Sequence, residues 1–209
     1  MVTLPGESPI SITTQRLLQQ TLCNWQQWQT KSALDCQPEV VRELVGGRTN
    51  KTFLVAAGVF QAVVRINSPD SLKLGIDRQR EARVLGLLQS TGLVPQVYFI
   101  DDEVLVSEFI EGDSLNTKSL KNTHIMESLS EALGLVQSVK MPDSNPRNYL
   151  EYCQNYLDQL SGDIVSASVK QQIEQAALEV DAESWEPVIC HHDMVPENII
   201  VNERGLFII

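Results

Sequence analysis

The spacing of hydrophobic and polar positions changes period along the chain, and each change marks a different kind of element. Over residues 13–30, Leu17, Leu18, Leu22, Trp25 and Trp28 recur at helical spacing between glutamines. That pattern predicts an amphipathic helix, capped at Thr13 or Thr14, whose tryptophans anchor it to other structure. The period then shortens. Val40–Val45, Thr52–Ala56 and Val59–Ile66 are β-rich runs, separated by Gly46-Gly47 with Asn50 and by Gly58, which predicts a three-stranded antiparallel meander. Arg78–Gln89 returns to helical spacing with Ala82, Leu85 and Leu88 on one face. Gln96–Ile100 and Val104–Phe109 form two further predicted strands joined at Asp101-Asp102.

Beyond Glu111-Gly112 the pattern is mostly helical. Ile125, Leu129, Leu133 and Val136 share one face, and Leu150–Leu160 and Val169–Val180 predict two more helices. Near the end, Pro187–Cys190, Ile199–Val201 and Leu206–Ile209 are short apolar runs that predict strands, the last two joined by a turn at residues 202–205. Strands followed by helices indicate an α+β chain with two lobes. The expected organisation is a helical extension over residues 1–38, a β-rich lobe over 39–110 and a helical lobe over 111–209.

Composition narrows the partners. The 209 residues carry a formal net charge of −11 and are 43% apolar. Such a chain repels nucleic-acid backbones and anionic lipid headgroups, and it sits more easily with a cationic small molecule. The first residues lack a basic stretch followed by an apolar run, and no apolar stretch reaches spanning length. Cys23, Cys36, Cys153 and Cys190 form no CxxC pair. They are expected to be reduced thiols in a cytoplasmic protein.

The residues richest in chemistry are His191-His192-Asp193-Met194-Val195-Pro196-Glu197-Asn198. Phosphoryl transfer to an alcohol needs a carboxylate to orient the hydroxyl and take its proton, and oxygen ligands to hold Mg²⁺ against the phosphates. An aspartate and an asparagine five residues apart put both on one loop, with His191 able to brace it from behind. A metal site over residues 190–193 is disfavoured, because successive residues of an extended segment point to opposite faces. Upstream, Arg65 ends a strand where a cation can pair with nucleotide phosphates, and Glu81 follows on the next helix where it can fix that cation. The Gly46-Gly47 turn with Asn50 can lay backbone N–H groups over phosphates, although it is not a G-x-G-x-x-G sequence. At Glu108–Ile110 the main chain can meet an adenine edge, with Ile110 facing the ring.

Taken in this order, the residues resemble the family of aminoglycoside phosphotransferases, choline kinases and thiamine kinases. Gly46–Phe53, arginine at Arg65 and His191–Ile199 look most like the choline and thiamine kinase branch. The resemblance covers residue 40 onwards. It implies a protein-kinase-like bilobal fold with a five-stranded antiparallel sheet and one helix in the N-lobe. It also implies ATP and Mg²⁺ as cofactors and a cationic alcohol such as choline or thiamine as substrate. Asp193 becomes the catalytic base, His191 a brace and Asn198 a Mg²⁺ ligand; Arg65 binds phosphate and Glu81 orients it. The family pattern continues past this hairpin with a metal-holding aspartate. Leu206-Phe207-Ile208-Ile209 is the strand leading up to it, so a truncated C-lobe and impaired activity are expected. An aminoglycoside phosphotransferase, or a non-catalytic nucleotide- or partner-binding fragment, are the competing expectations.

Overall fold

A computed structural model describes residues 10–44, 50–71, 75–142, 147–160, 164–184 and 186–209. Helix α1 spans Ile12–Cys23, and Ser11, not Thr13 or Thr14, caps it by accepting the Thr14 N–H at 3.1 Å. The helix stops seven residues before the expected end. Asn24 closes it, a 3-10 turn follows at Trp25–Gln27, and Gln29 N–H donates to the Tyr98 carbonyl at 2.7 Å. Crossing to that carbonyl is incompatible with continuing the helix.

Strands β1 (Glu39–Leu44), β2 (Lys51–Ala57), β3 (Phe60–Ile66), β4 (Val97–Ile100) and β5 (Val104–Glu108) form one antiparallel sheet in the order β1-β2-β3-β5-β4. Gly58, at φ +60°, makes the β2–β3 turn. Because side chains alternate, Phe53, Val55, Ala62, Val64, Val104 and Val106 lie on one face, where Leu17, Leu18 and Leu22 of α1 and Trp28 pack against them. Arg65 points to the other face. Trp28 therefore works as a core anchor, 7% exposed, with its ring centroid 6.5 Å from that of Phe60, and Trp25 packs partly buried against the same cluster.

Helix α2 (Arg78–Leu88) is capped by Asp77, whose carboxylate accepts the Arg80 N–H at 2.9 Å. Past the connector, β6 (Asp113–Ser114) pairs with β7 (Ile199–Asn202), which pairs with β8 (Gly205–Ile208). The sequence pattern did not suggest β6, which is only two residues long. Gly112 is required where the connector meets this sheet. A Cβ there would sit 2.7 Å from Ile200 Cγ2 and 2.8 Å from the Val201 carbonyl oxygen.

Helices α3 (Thr123–Ser138), α4 (Tyr149–Gln159) and α5 (Ala167–Asp181) complete the described C-lobe. The Asp181 carboxylate accepts the Tyr149 and Leu150 N–H groups at 2.8 and 2.9 Å, tying the end of α5 to the start of α4. The strand expected at 187–190 does not form. Residues 186–190 pair with no strand among the described residues, and only Ile189 is buried. Ile189 enters an apolar cluster with Leu88, Val94, Val136 and Ile208, so packing rather than a ladder leads the chain into the loop.

Candidate active site

The N-lobe half of the site is an ionic cluster built from three segments. Arg65 Nη2 donates to Glu81 Oε1 at 2.8 Å, and Arg65 Nε donates to Asn67 Oδ1 at 3.1 Å. Glu81 Oε2 accepts from Arg78 Nη1 at 2.7 Å, so each carboxylate oxygen has its own guanidinium. Burial lowers the basicity of Arg65, against the opposing pull of Glu81. Burial also works to raise the Glu81 pKa, but Arg65 and Arg78 together outweigh it and hold the carboxyl below its ordinary value. Asn50 Oδ1 accepts from Arg78 Nη2 at 3.0 Å and from the Ser68 N–H at 3.2 Å. Two donors facing one atom fix the orientation of that amide. Gly46 and Gly47 lie outside the described residues.

The C-lobe half is the loop His191–Asn198. Asn198 Nδ2 donates to the Asp193 carbonyl at 2.9 Å and to Asp193 Oδ2 at 3.1 Å, bringing the two predicted polar side chains together. The Asp193 N–H donates to His191 Nδ1 at 3.3 Å, which leaves His191 Nε2 to carry the proton facing the Ile209 carbonyl at 3.2 Å. Ile209 N–H in turn donates to the Asn198 carbonyl at 2.9 Å. His191 and the end of β8 thereby pin both ends of the loop.

His192, between His191 and Asp193, takes φ +65°, a left-handed conformation that costs a non-glycine residue about 1–2 kcal/mol. Its imidazole is less basic than usual, through burial first and then the charges of Arg147, Arg80 and His191. Met194 anchors the loop from below. It packs against the cluster of Leu88, Val136, Ile189 and Ile208 and also against that of Leu115, Leu129 and Ile199. Val84 and Leu88 of α2 share the first cluster, so the helix that carries Glu81 also supports the loop that carries Asp193. Among the described residues no hydrogen bond joins Arg65 to Asp193; the halves are connected by this packing, by the Ile208 N–H donating to the Leu93 carbonyl at 2.7 Å and by the Glu108–Arg204 pair.

At the connector, the β5 ladder ends at Glu108, leaving the main chain of Phe109 and Ile110 beyond it. The Ile110 side chain is buried at 4% exposure. Glu108 Oε1 accepts from Arg204 Nη1 at 2.6 Å, linking the N-lobe sheet to the β7–β8 turn, and Glu108 Oε2 accepts the Gln96 N–H at 3.3 Å. A cleft of about 640 Å³ opens between the start of α1 and the start of α2, but neither Asp193 nor Asn198 lines it.

Sequence reasoning missed Arg78, Met194 and Arg204. Arg78 was detectable in principle. It stands three residues before Glu81, seven before Leu85 and ten before Leu88, on one stripe of α2. No local pattern marks Arg204, whose partner is 96 residues away.

Comparison with known proteins bears on the fold and the family. Human ethanolamine kinase 1 is 26% identical over 191 residues, covering 81% of this chain and 42% of its own length. The chain thus spans less than half of that relative. Among solved structures, the choline kinase LicA of Streptococcus pneumoniae in complex with AMP superposes with a TM-score of 0.69 at 24% identity, over 92% of this chain and 66% of that one. The streptomycin–ATP ternary complex of the aminoglycoside phosphotransferase APH(2")-IIa gives 0.55 at 18% identity, over 99% and 70%. These neighbours share the protein-kinase-like two-lobed fold. The family model for choline/ethanolamine kinase matches residues 41–209, which takes in both halves of the site, and the chain belongs to that family.

Proposed function

We propose that the protein carrying this sequence transfers the γ-phosphate of ATP to the hydroxyl of a small amino alcohol, ethanolamine or choline. The observation that carries the reading is the Asp193–Asn198 pair. The Asn198 amide nitrogen is committed to Asp193, at 2.9 and 3.1 Å, which turns its oxygen Oδ1 away as a neutral hard ligand. That donor suits Mg²⁺. Asn198 would help hold the ion, whose chemistry is to neutralise charge on the transferring phosphates.

The remaining steps belong to protein side chains. Asp193 accepts the substrate hydroxyl proton as the oxygen bonds to the γ-phosphorus, and the bond from that phosphorus to the bridging oxygen breaks to release ADP. Positioned proton acceptance of this kind contributes on the order of 10²–10⁴-fold. Arg65, oriented by Glu81, pairs with the nucleotide phosphates, with Gly46, Gly47 and Asn50 as further phosphate-contacting residues in this proposal. The main chain at Glu108 to Ile110 receives the adenine edge. An amino alcohol rather than thiamine is favoured by the similarity to ethanolamine and choline kinases. A net charge of −11 fits a cationic acceptor. Among the described residues no helix is long and apolar enough to cross a membrane.

Incubation with γ-labelled ATP and Mg²⁺ in the presence of ethanolamine, choline, thiamine or an aminoglycoside tests this. Label is expected on ethanolamine or choline. Label on the aminoglycoside alone would assign a resistance enzyme. ATP binding without transfer to any alcohol would leave a nucleotide-binding module.

A further inference from the structure

Arg78 is the most heavily committed side chain of the N-lobe cluster, and the reading above gives it no task. Its side chain is 8% exposed, yet it sits at the first position of α2, where arginines usually reach into water. Three groups on three segments hold it. Nη1 reaches Glu81 Oε2 at 2.7 Å, and Nη2 reaches Asn50 Oδ1 at 3.0 Å and Ser71 Oγ at 3.1 Å. Nε is buried and has no hydrogen-bond partner among the described residues. The bonds fall at the start of β2, in the loop after β3 and on α2, the elements that flank Arg65.

We infer that Arg78 is a positioning residue for the nucleotide phosphates, acting through Glu81 and Asn50. Two features support this. The first is geometric: one planar fork joins the carboxylate that aims Arg65 to the Asn50 amide just ahead of β2, so Arg65 and Asn50 are set by a single group. The second is charge. Arg65 and Arg78 against Glu81 leave one net positive charge, and removing Arg78 leaves none. A polyphosphate then meets a neutral cluster instead of a cationic one. The adenine end, proposed at Glu108 to Ile110 in the connector, shares none of these bonds.

This inference rests on the kinase reading, and the test separates the two. Equilibrium dialysis with labelled ATP, with Mg²⁺ present, and with labelled adenosine is compared for the wild type, Arg78→Ala and Arg78→Lys. Binding of ATP by the wild type tests the kinase reading itself, and its absence overturns both. For Arg78→Ala, ATP affinity is expected to fall about tenfold or more while adenosine affinity stays within about twofold. Arg78→Lys keeps the charge and loses the fork, so ATP affinity is expected to be intermediate with adenosine again unchanged. Unchanged ATP affinity in Arg78→Ala, or equal loss of ATP and adenosine, overturns the inference. If Arg78→Ala does not fold, Arg78→Lys decides, and wild-type ATP affinity in that variant is the contrary result.

Discussion

Arg65 and Asp193 are the two charged side chains on which the proposed reaction turns, and their surroundings differ in kind. Arg65 sits in a mostly buried cluster in which Glu81, Arg78, Asn50 and Asn67 are joined by side-chain hydrogen bonds of 2.7–3.1 Å. Asp193 is exposed, on a loop fastened mainly through main-chain groups, one asparagine amide and the apolar plug of Met194. The contrast fits the two proposed tasks. A phosphate-binding cation gains from being fixed before the nucleotide arrives, because its orientation then costs nothing on binding. A carboxylate that takes a proton must keep an oxygen open to the incoming hydroxyl, so the protein restrains its backbone and leaves its side chain accessible.

Breaking the loop half should have the largest effect. Asn198→Ala removes both bonds to Asp193 and the proposed Mg²⁺ donor, and a fall in turnover on the order of 10²-fold or more is expected. A steady-state assay across Mg²⁺ concentrations checks it, and excess Mg²⁺ should not restore the rate.

On the other side, Glu81→Gln leaves Arg65 and Arg78 facing each other without a carboxylate between them. Because Glu81 is 26% and Arg65 21% exposed, a loss of about 2–3 kcal/mol is expected, below that of a fully buried pair. Urea unfolding measures it. The pH dependence follows from the same contacts. Glu81 titrates lower folded than unfolded, so its contribution is present above its unfolded pKa and is lost as pH falls through its lower folded pKa. Melting curves between pH 3 and 7 should show this acid loss in the wild type and a shallower one in Glu81→Gln.

Gly112→Ala probes the joint between the halves. The added methyl meets Ile200 and Val201 below 3 Å, and a cost of about 1–3 kcal/mol is expected from thermal unfolding. The smallest effect is expected at Arg204→Ala. Its bond to Glu108 spans the lobes, but Arg204 is 50% exposed, so the loss should stay within about 1 kcal/mol and shrink further in high salt.

The same contrast explains what the sequence made legible. The five strands were readable because runs of β-rich apolar residues, with Gly58 at a turn, are a local property, whereas their union in one sheet was implied by the family resemblance. The loop was readable because Asp193 and Asn198 lie five residues apart on one chain segment. Arg65 and Glu81 were readable through their order along the chain. The network around them was not. Arg78 reaches Asn50 across 28 residues, and only the folded sheet brings them together. The strand expected at 187–190 failed for the converse reason: Val188-Ile189-Cys190 is apolar, but among the described residues no partner strand lies beside it, and Ile189 packs in an apolar cluster. Likewise α1 ended early because Gln29 bonds the Tyr98 carbonyl, a contact no local propensity encodes.

The most direct test of a division between phosphate binding at Arg65 and proton transfer at Asp193 is one kinetic measurement on two variants. Turnover and ATP affinity are measured side by side for Asp193→Asn and Arg65→Gln, with ethanolamine and choline as acceptors. The expected result is a kcat about 10²–10⁴-fold lower in Asp193→Asn with ATP binding within about threefold of wild type, against an ATP affinity about tenfold or more weaker in Arg65→Gln. Near-normal kcat in Asp193→Asn, or the same constant altered to the same degree in both variants, would contradict it.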